Sequence, residues 1–180
     1  ACHGIKATYK GKALGSFGLT GCFSMHPLKN LNVWGDGGVI VTDDDALNSK
    51  LCLIRNHGLS NRAECAIFAY NSRLDTLQAI IATHLLDKID AITDSRRSNS
   101  YFFDEQLATV PGITVPKRHP DKRHVFHIYV IRAERRDALQ AFLIEQGIDA
   151  KVHYPIPMHL QPAAEKFGHQ RGDFPMAEAI

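Results

Sequence analysis

Lys29 stands in the run Ser24-Met25-His26-Pro27-Leu28-Lys29-Asn30-Leu31-Asn32, between the apolar segment Gly21-Cys22-Phe23 and the glycine-rich stretch Gly35-Asp36-Gly37-Gly38. A lysine just past a strand and before a tight turn can be held with its amine aimed into a pocket, as a nucleophile or a phosphate ligand. Ser24, upstream of it, offers a hydroxyl to an anion. Further on, Tyr70-Asn71-Ser72-Arg73-Leu74-Asp75 places polar side chains at a helix start. Free backbone N–H groups and the helix dipole favour negative charge there. An amine beside hydroxyl and amide donors is a sensible receptor for a small molecule carrying both an aldehyde and a phosphate. To attack a carbonyl the ammonium must lose its proton, which burial or neighbouring cations promote.

Other chemistries find less support. There are 10 histidines, and His119, His124, His127, His153 and His159 are among those in the later part of the chain. They form neither HExxH nor a Cys/His pattern of known ligand spacing, so no metal site is expected. The glycine cluster lacks the GxGxxG and GxxxxGK[ST] arrangements and predicts a hairpin turn in which glycine supplies positive φ. No Gly-x-Ser-x-Gly elbow is present. The 4 cysteines, Cys2, Cys22, Cys52 and Cys65, show no CxxC pairing, and two lie inside apolar segments. Reduced, buried thiols in a cytoplasmic protein are expected. A net charge of +2 with isolated basic pairs, Arg96-Arg97, Lys122-Arg123 and Arg135-Arg136, gives no basic stripe for nucleic acid. No run of ~18 apolar residues is present to span a membrane.

The elements that must position these residues follow from periodicity. At 180 residues the chain suits one domain or a little more, at ~150 residues each. Short strands are expected at Gly15-Ser16-Phe17, Gly21 to Ser24 and Gly38 to Thr42, the last a buried β-branched strand. A helix should follow, capped within Thr42-Asp43-Asp44-Asp45, with Leu47, Leu51 and Ile54 on one face and a stop at Gly58. Leu59 to Asn71 reads as an ordered loop. A stripe from Leu74 through Leu77, Ile80, Ile81, Leu85, Leu86, Ile89 and Ile92 continues to Phe102, Phe103 and Leu107, predicting one long helix as a spacer between modules. Strands are expected at His124 to Ile131 and Ile148 to Tyr154, around a helix from Glu134 to Gln146 closed by Gly147. Phe174 to Ile180 reads as the start of another helix.

Four blocks in order carry a family resemblance: Cys22-Phe23-Ser24-Met25-His26-Pro27-Leu28-Lys29-Asn30 with Gly35-Asp36-Gly37-Gly38; Arg55-Asn56-His57-Gly58; Tyr70-Asn71-Ser72-Arg73-Leu74-Asp75-Thr76-Leu77-Gln78-Ala79; and His153-Tyr154-Pro155-Ile156-Pro157-Met158-His159-Leu160-Gln161. Over essentially its whole length the chain resembles the DegT/DnrJ/EryC1/StrS aminotransferases. These are pyridoxal 5'-phosphate (PLP) enzymes of the aspartate-aminotransferase fold that act mostly on keto-sugar nucleotides. The resemblance implies an α/β chain of PLP-transferase fold type I, incomplete. Residues 1–76 would be the later part of the large PLP-binding domain, 77–108 a long connecting helix, and 109–180 a truncated small C-terminal α/β domain.

It also implies roles. Lys29 would form the Schiff base with PLP and then move a proton as general base and acid. Ser24 would bond the cofactor phosphate, His3 would support the ring near its phenolic oxygen, and Asn71 would reach the phosphate held by the neighbouring subunit of a homodimer. Tyr154 and His159 fall in a block bordering the active site, where packing of a Pro-rich turn is the competing role. The implied activity moves an amino group from an amino acid such as glutamate to a keto-sugar nucleotide, in polysaccharide biosynthesis. A sugar dehydratase outcome is disfavoured because those relatives replace the lysine.

Departures from the family pattern are also expected to matter. Family members are about twice as long. The aspartate expected beside the pyridine nitrogen would fall one residue before Ala1, and Met25 stands where an aromatic is more usual. The chain therefore reads as an internal fragment, and a non-catalytic fragment or a regulatory homologue of the same fold is the alternative.

Overall fold

Two residues in left-handed conformation, Lys10 (φ 49°) and Gly11 (φ 76°), open the fold by closing a tight hairpin between β1 (Thr8–Tyr9) and β2 (Lys12–Ala13). The computed structural model describes residues 1–179. They fall into two units, one made of residues 1–105 with 116–129, the other of residues 106–115 with those from 130 onward.

In the first unit, β3 (Gly21–Ser24) and β4 (Gly38–Val41) pair antiparallel, with Gly21 opposite Val41 and Ser24 opposite Gly38. Both strands were expected; the turn between them was not. The whole of residues 25–37 connects them, folded back by Met25 N–H on the Gly37 carbonyl (2.8 Å) and Val33 N–H on the Met25 carbonyl (2.9 Å). Gly35, Gly37 and Gly38 do not take positive φ. Gly37 is small for a different reason: a Cβ there would stand 2.9 Å from Val33 and 3.0 Å from Leu74.

The strand expected at Gly15–Phe17 is a turn instead, because the Phe23 ring and the Gly21 backbone close on Gly15. β4 is exposed rather than buried, Ile40 by 49%, because it pairs with β3 alone in a two-stranded sheet. The expectation of buried thiols also fails, since all four cysteines are free and exposed. An apolar neighbourhood in sequence does not fix which face a side chain takes: Cys22 points outward from β3, and Cys52 lies off the Leu47–Leu51–Ile54 face.

Helix α1 (Asp45–Arg55) follows as expected, capped by the Asp44 carboxylate accepting from Leu47 N–H at 2.8 Å. Its exit runs through His57 (φ 58°) and Gly58 (φ 71°), and a Cβ on Gly58 would collide with the Ile67 carbonyl. The long helix is two helices, α2 (Thr76–Leu86) and α3 (Ile89–Leu107), broken at Asp87-Lys88. The apolar stripe does not reveal the break because Leu85 and Ile89 still face the same core. That core is Met25, Leu31, Val33 and Ile89, with Ile5, Leu74, Ala82 and Leu85 against it.

No strand forms over His124 to Ile131. Of the elements there, β6 (Lys122–Arg123) joins β1 and β7 (Arg132–Ala133) joins β5 (Ile113–Thr114). Between them the backbone groups a ladder needs are taken by side chains. His124 Nδ1 accepts from Phe126 N–H (2.9 Å), and Arg96 Nη1 donates to the carbonyls of Phe126 and His127 at 3.2 Å each. Phe126 has φ 47°, and Val125 and Phe126 are buried.

In the second unit, α4 (Arg136–Glu145) is closed by Gly147 (φ 78°), as expected. The strand expected at Ile148–Tyr154 is absent. Ala150 N–H bonds back to Ile148 and the Ala150 carbonyl accepts from Gln140 Nε2 at 3.0 Å, so the segment has no ladder to offer. Short 3₁₀ turns at Met158–Leu160 and Pro162–Phe167 lead to α5 (Pro175–Glu178), and Ile180 lies outside the described residues.

Candidate functional site

Lys29 sits on the β3–β4 connection, above the side chains that anchor it. Met25, Leu31 and Val33 are sunk in the core, and Asn30 is 5% exposed, with Nδ2 donating to the Val125 carbonyl at 3.1 Å. Leu28, by contrast, is 74% exposed. Residues 25–33 therefore alternate between anchored and outward positions, and Lys29 is half-buried between them. Its backbone N–H closes a turn on the His26 carbonyl at 2.8 Å. No carboxylate among the described residues pairs with its Nζ.

Ser24 ends β3 opposite Gly38. Its Oγ accepts from His26 N–H at 3.3 Å, which leaves the O–H proton free to be donated elsewhere. His26 in turn accepts Leu28 N–H on Nδ1 at 3.2 Å, and Asn32 Nδ2 bonds the Pro27 carbonyl at 3.0 Å. These short-range bonds make the connection a built loop rather than a loose one.

His3 packs on His127, with ring centroids 4.3 Å apart. His127 is two residues from Val125, whose carbonyl holds Asn30, so one segment meets both His3 and the Lys29 loop. The same segment is pinned to α3. Arg118 pairs with Asp104, stacks 4.2 Å over the Phe126 ring, and bonds Ser100 Oγ at 3.1 Å, while Tyr129 O–H donates to Asp104 at 2.7 Å. Burial and then the Arg118 charge hold the His124 imidazole below its ordinary value, in keeping with Nδ1 acting as an acceptor.

Asn71 lies across an isolated antiparallel bridge from Asn56. Arg73 Nε donates to its Oδ1 at 3.0 Å. Three residues on, Leu74 packs on the core beneath the Lys29 connection, and Trp34 N–H donates to Gln78 Oε1 of α2 at 2.8 Å. Asp75 precedes α2 without a side-chain cap bond. Lys29, Ser24, His3 and Asn71 thus belong to one unit. Tyr154 and His159 belong to the other. Tyr154 is 74% exposed and stacks on His153 at 4.0 Å. The His159 side chain is only 9% exposed, with Nε2 2.8 Å from the Glu178 carboxylate.

Comparison with known proteins bears on this arrangement. The family model of the DegT/DnrJ/EryC1/StrS aminotransferases matches residues 1–180. The chain belongs to that family. It is 42% identical over 99% of its length to a pleiotropic regulatory protein of Geobacillus stearothermophilus, covering 48% of that protein. It is 37% identical to the dTDP-3-amino-3,4,6-trideoxy-alpha-D-glucose transaminase of Streptomyces venezuelae, over 99% of this chain and 46% of that one. Among solved structures, DesV of S. venezuelae superposes with TM-score 0.94 at 37% identity, over 99% of this chain and 48% of its own. A family aminotransferase from Brucella abortus gives TM-score 0.92 at 29% identity, over 99% and 48%. The chain spans about half the length of the curated relatives it matches, and its fold is part of the PLP-transferase type I fold.

Reading the family motif alone misses the segment 116–129. Asn30, Val125, His127 and Arg118 support the Lys29 loop and His3, yet the alternation around residues 124–131 assigns Val125 and His127 to a strand of the small domain. The cue available in sequence is that His124 and His127 flank the apolar pair Val125-Phe126, and polar groups of that kind, when buried, must find partners.

Proposed function

We propose that this chain carries the lysine half of a PLP-dependent aminotransferase site, which moves an amino group from an amino acid such as glutamate to a keto-sugar nucleotide. The observation that carries it is Lys29: half-buried, free of any carboxylate among the described residues, on a loop anchored at Met25, Asn30 and Val33. The residues fit the cofactor. Ser24 has a hydroxyl proton to give, Asn71 has its carboxamide oxygen tied by Arg73 and its N–H₂ turned away, and both suit a phosphate. His3 is held by its stacking on His127 and suits the ring's phenolic oxygen.

Bound there, PLP supplies an aldehyde that takes up the amino group and a ring that spreads negative charge from the carbon losing its proton. Lys29 Nζ holds the cofactor and then takes up and returns that proton as general base and acid. Ser24 and Asn71 orient the phosphate, and Asn71 does so for the neighbouring subunit of a homodimer. Residues 1–76 form the later part of the large domain, 77–108 the helical connection and 109–180, apart from the 116–129 segment that packs in the first unit, part of the small domain, which carries Tyr154 and His159. The substrate class is supported by the transaminases of amino sugars among the relatives. No helix among the described residues is long and apolar enough to cross a membrane, which suits a cytoplasmic enzyme.

The test is spectroscopic. Adding PLP should give a yellow absorbance that borohydride bleaches while fixing the cofactor covalently, with the added mass on the Lys29 peptide and none in Lys29→Ala. Label spread over surface lysines would refute the assignment. A regulatory role remains the second reading, favoured by the name of the Geobacillus relative. It predicts PLP binding without amino-group transfer from glutamate.

A further inference from the structure

Arg73 ties down two asparagine side chains at once. Its Nε donates to Asn71 Oδ1 at 3.0 Å and its Nη1 to Asn56 Oδ1 at 3.1 Å. The backbones of these asparagines already lie opposite each other, because the left-handed pair His57 and Gly58 reverses the chain after α1. His57 N–H then bonds the Tyr70 carbonyl at 2.8 Å and Ser72 N–H the Arg55 carbonyl at 2.9 Å. The frame that carries the three side chains is therefore fixed by main-chain bonds on both sides of the bridge.

A guanidinium has donors and no acceptor, so the carboxamide oxygen of each asparagine must be the atom that faces Arg73. The N–H₂ of Asn71 is turned the other way, and no acceptor among the described residues takes it. Without Arg73, an exposed asparagine side chain swings between oxygen-out and nitrogen-out. The oxygen-out form repels an anion. With Arg73, only the donor form is presented. Because all three side chains are solvent-accessible or nearly so, the bonds add little to stability, and their value lies in orientation.

We propose that Arg73 is the positioning residue of Asn71, holding its amide donors outward for the phosphate of PLP through the fork that also grips Asn56. The proposal rests on the reading above, in which Asn71 binds that phosphate. The role needs the two-pronged geometry of arginine, and a positive charge alone does not fill it. Lysine offers a single nitrogen and cannot hold both oxygens in the same orientation.

The experiment compares the affinity of the purified chain for PLP with its affinity for pyridoxal, which lacks the phosphate. The ratio of the two isolates the phosphate contacts, whereas a general structural defect weakens both ligands together. Asn71→Ala should lower the ratio roughly tenfold, the worth of one hydrogen bond to a charged group. Arg73→Gln and Arg73→Lys should each lower it roughly three- to tenfold, the value of a pre-set side-chain orientation. Asn56→Ala removes the other anchor without touching Asn71 or the charge, and should lower it in the same direction with unchanged thermal melting. If Arg73→Lys or Asn56→Ala keeps the full ratio while Asn71→Ala loses it, the positioning role is wrong and the phosphate reading stands. If Asn71→Ala keeps the ratio, or the unaltered chain shows no preference for PLP, the underlying reading fails.

Discussion

Asn30 hands its side-chain amide to the Val125 carbonyl at 3.1 Å, tying the residue after Lys29 to a partner 95 positions later. Asn30 is 5% exposed and Val125 2%. A carbonyl only accepts, so the amide nitrogen faces Val125 and Asn30 Oδ1 is left buried without a partner among the described residues. One bond gained against one acceptor stranded is a poor bargain for stability, which points to placement of the loop as the reason for an asparagine here. Asn30→Ala leaves the Val125 carbonyl unsatisfied but also removes the stranded Oδ1, so its net cost is expected to stay below about 1 kcal/mol. Asn30→Asp should cost more, since a buried carboxylate would then face a carbonyl oxygen. Urea midpoints of the two variants check this, and an aspartate variant as stable as the parent would contradict the amide assignment.

Ser24 gives the second prediction. Its oxygen accepts only a long 3.3 Å bond from His26 N–H, so Ser24→Ala should barely change the melting temperature. On the proposed role of Ser24 at the phosphate, PLP affinity should fall roughly tenfold with pyridoxal affinity unchanged, the worth of one bond to a charged group. Ser24→Thr keeps the hydroxyl and should keep most of the preference. Titration of Trp34 fluorescence, the one tryptophan, follows both ligands.

The local elements were legible where one residue's chemistry decides them. Asp44 capped α1, Gly58 and Gly147 ended their helices, and β3 and β4 fell within a residue of the expected ends. The family was legible because four blocks follow one another in order, and it is that order rather than Lys29 alone that carries the resemblance. What periodicity could not show was competition for backbone groups. Alternation at 124–131 says strand, but Arg96 and His124 take the carbonyls and N–H that a ladder would use. The stripe from Leu74 to Leu107 likewise survives a two-residue break, since Leu85 and Ile89 keep one face. Burial of β4 was expected from its β-branched residues, whereas burial depends on what lies against a strand, and among the described residues β4 pairs only with β3.

Tyr129 carries the third prediction. Burial, and then its hydrogen bond to the Asp104 carboxylate, push its phenol up to about 12 from the ordinary 10.0, with Arg118 opposing. The folded value lies above the unfolded one, so the stability this contributes is full below pH ~10 and is lost as pH rises through the folded value. In an alkaline absorbance titration, one of the 5 tyrosines should ionise last and together with unfolding. Tyr129→Phe should remove that late step and cost about 1.5–3 kcal/mol at neutral pH, the range for a bond to a charged acceptor. A titration in which all tyrosines ionise together would count against the Asp104 contact.

Glu178 offers the same kind of test with the sign reversed. Its carboxylate accepts from Gly172 N–H at 2.8 and 2.9 Å, from Phe174 N–H at 3.3 Å, and meets His159 Nε2 at 2.8 Å. The Gly172 bond is the main reason its pKa lies below the ordinary value, with burial opposing and His159 adding to the lowering. A depressed acid contributes stability that is present above its unfolded value and lost as pH falls through the folded one. Acid should therefore release residues 172–178 while the first unit's Asn30–Val125 contact, which has no titrating partner, persists. Hydrogen exchange, taken relative to the intrinsic rate at each pH, should show the Gly172 amide protected at neutral pH and unprotected in acid, and unprotected at both in Glu178→Gln. Should Gly172 stay protected in the glutamine variant, the turn is held by the packing of Phe174 on His159 and His169, at 4.7 and 5.0 Å, and the carboxylate is incidental.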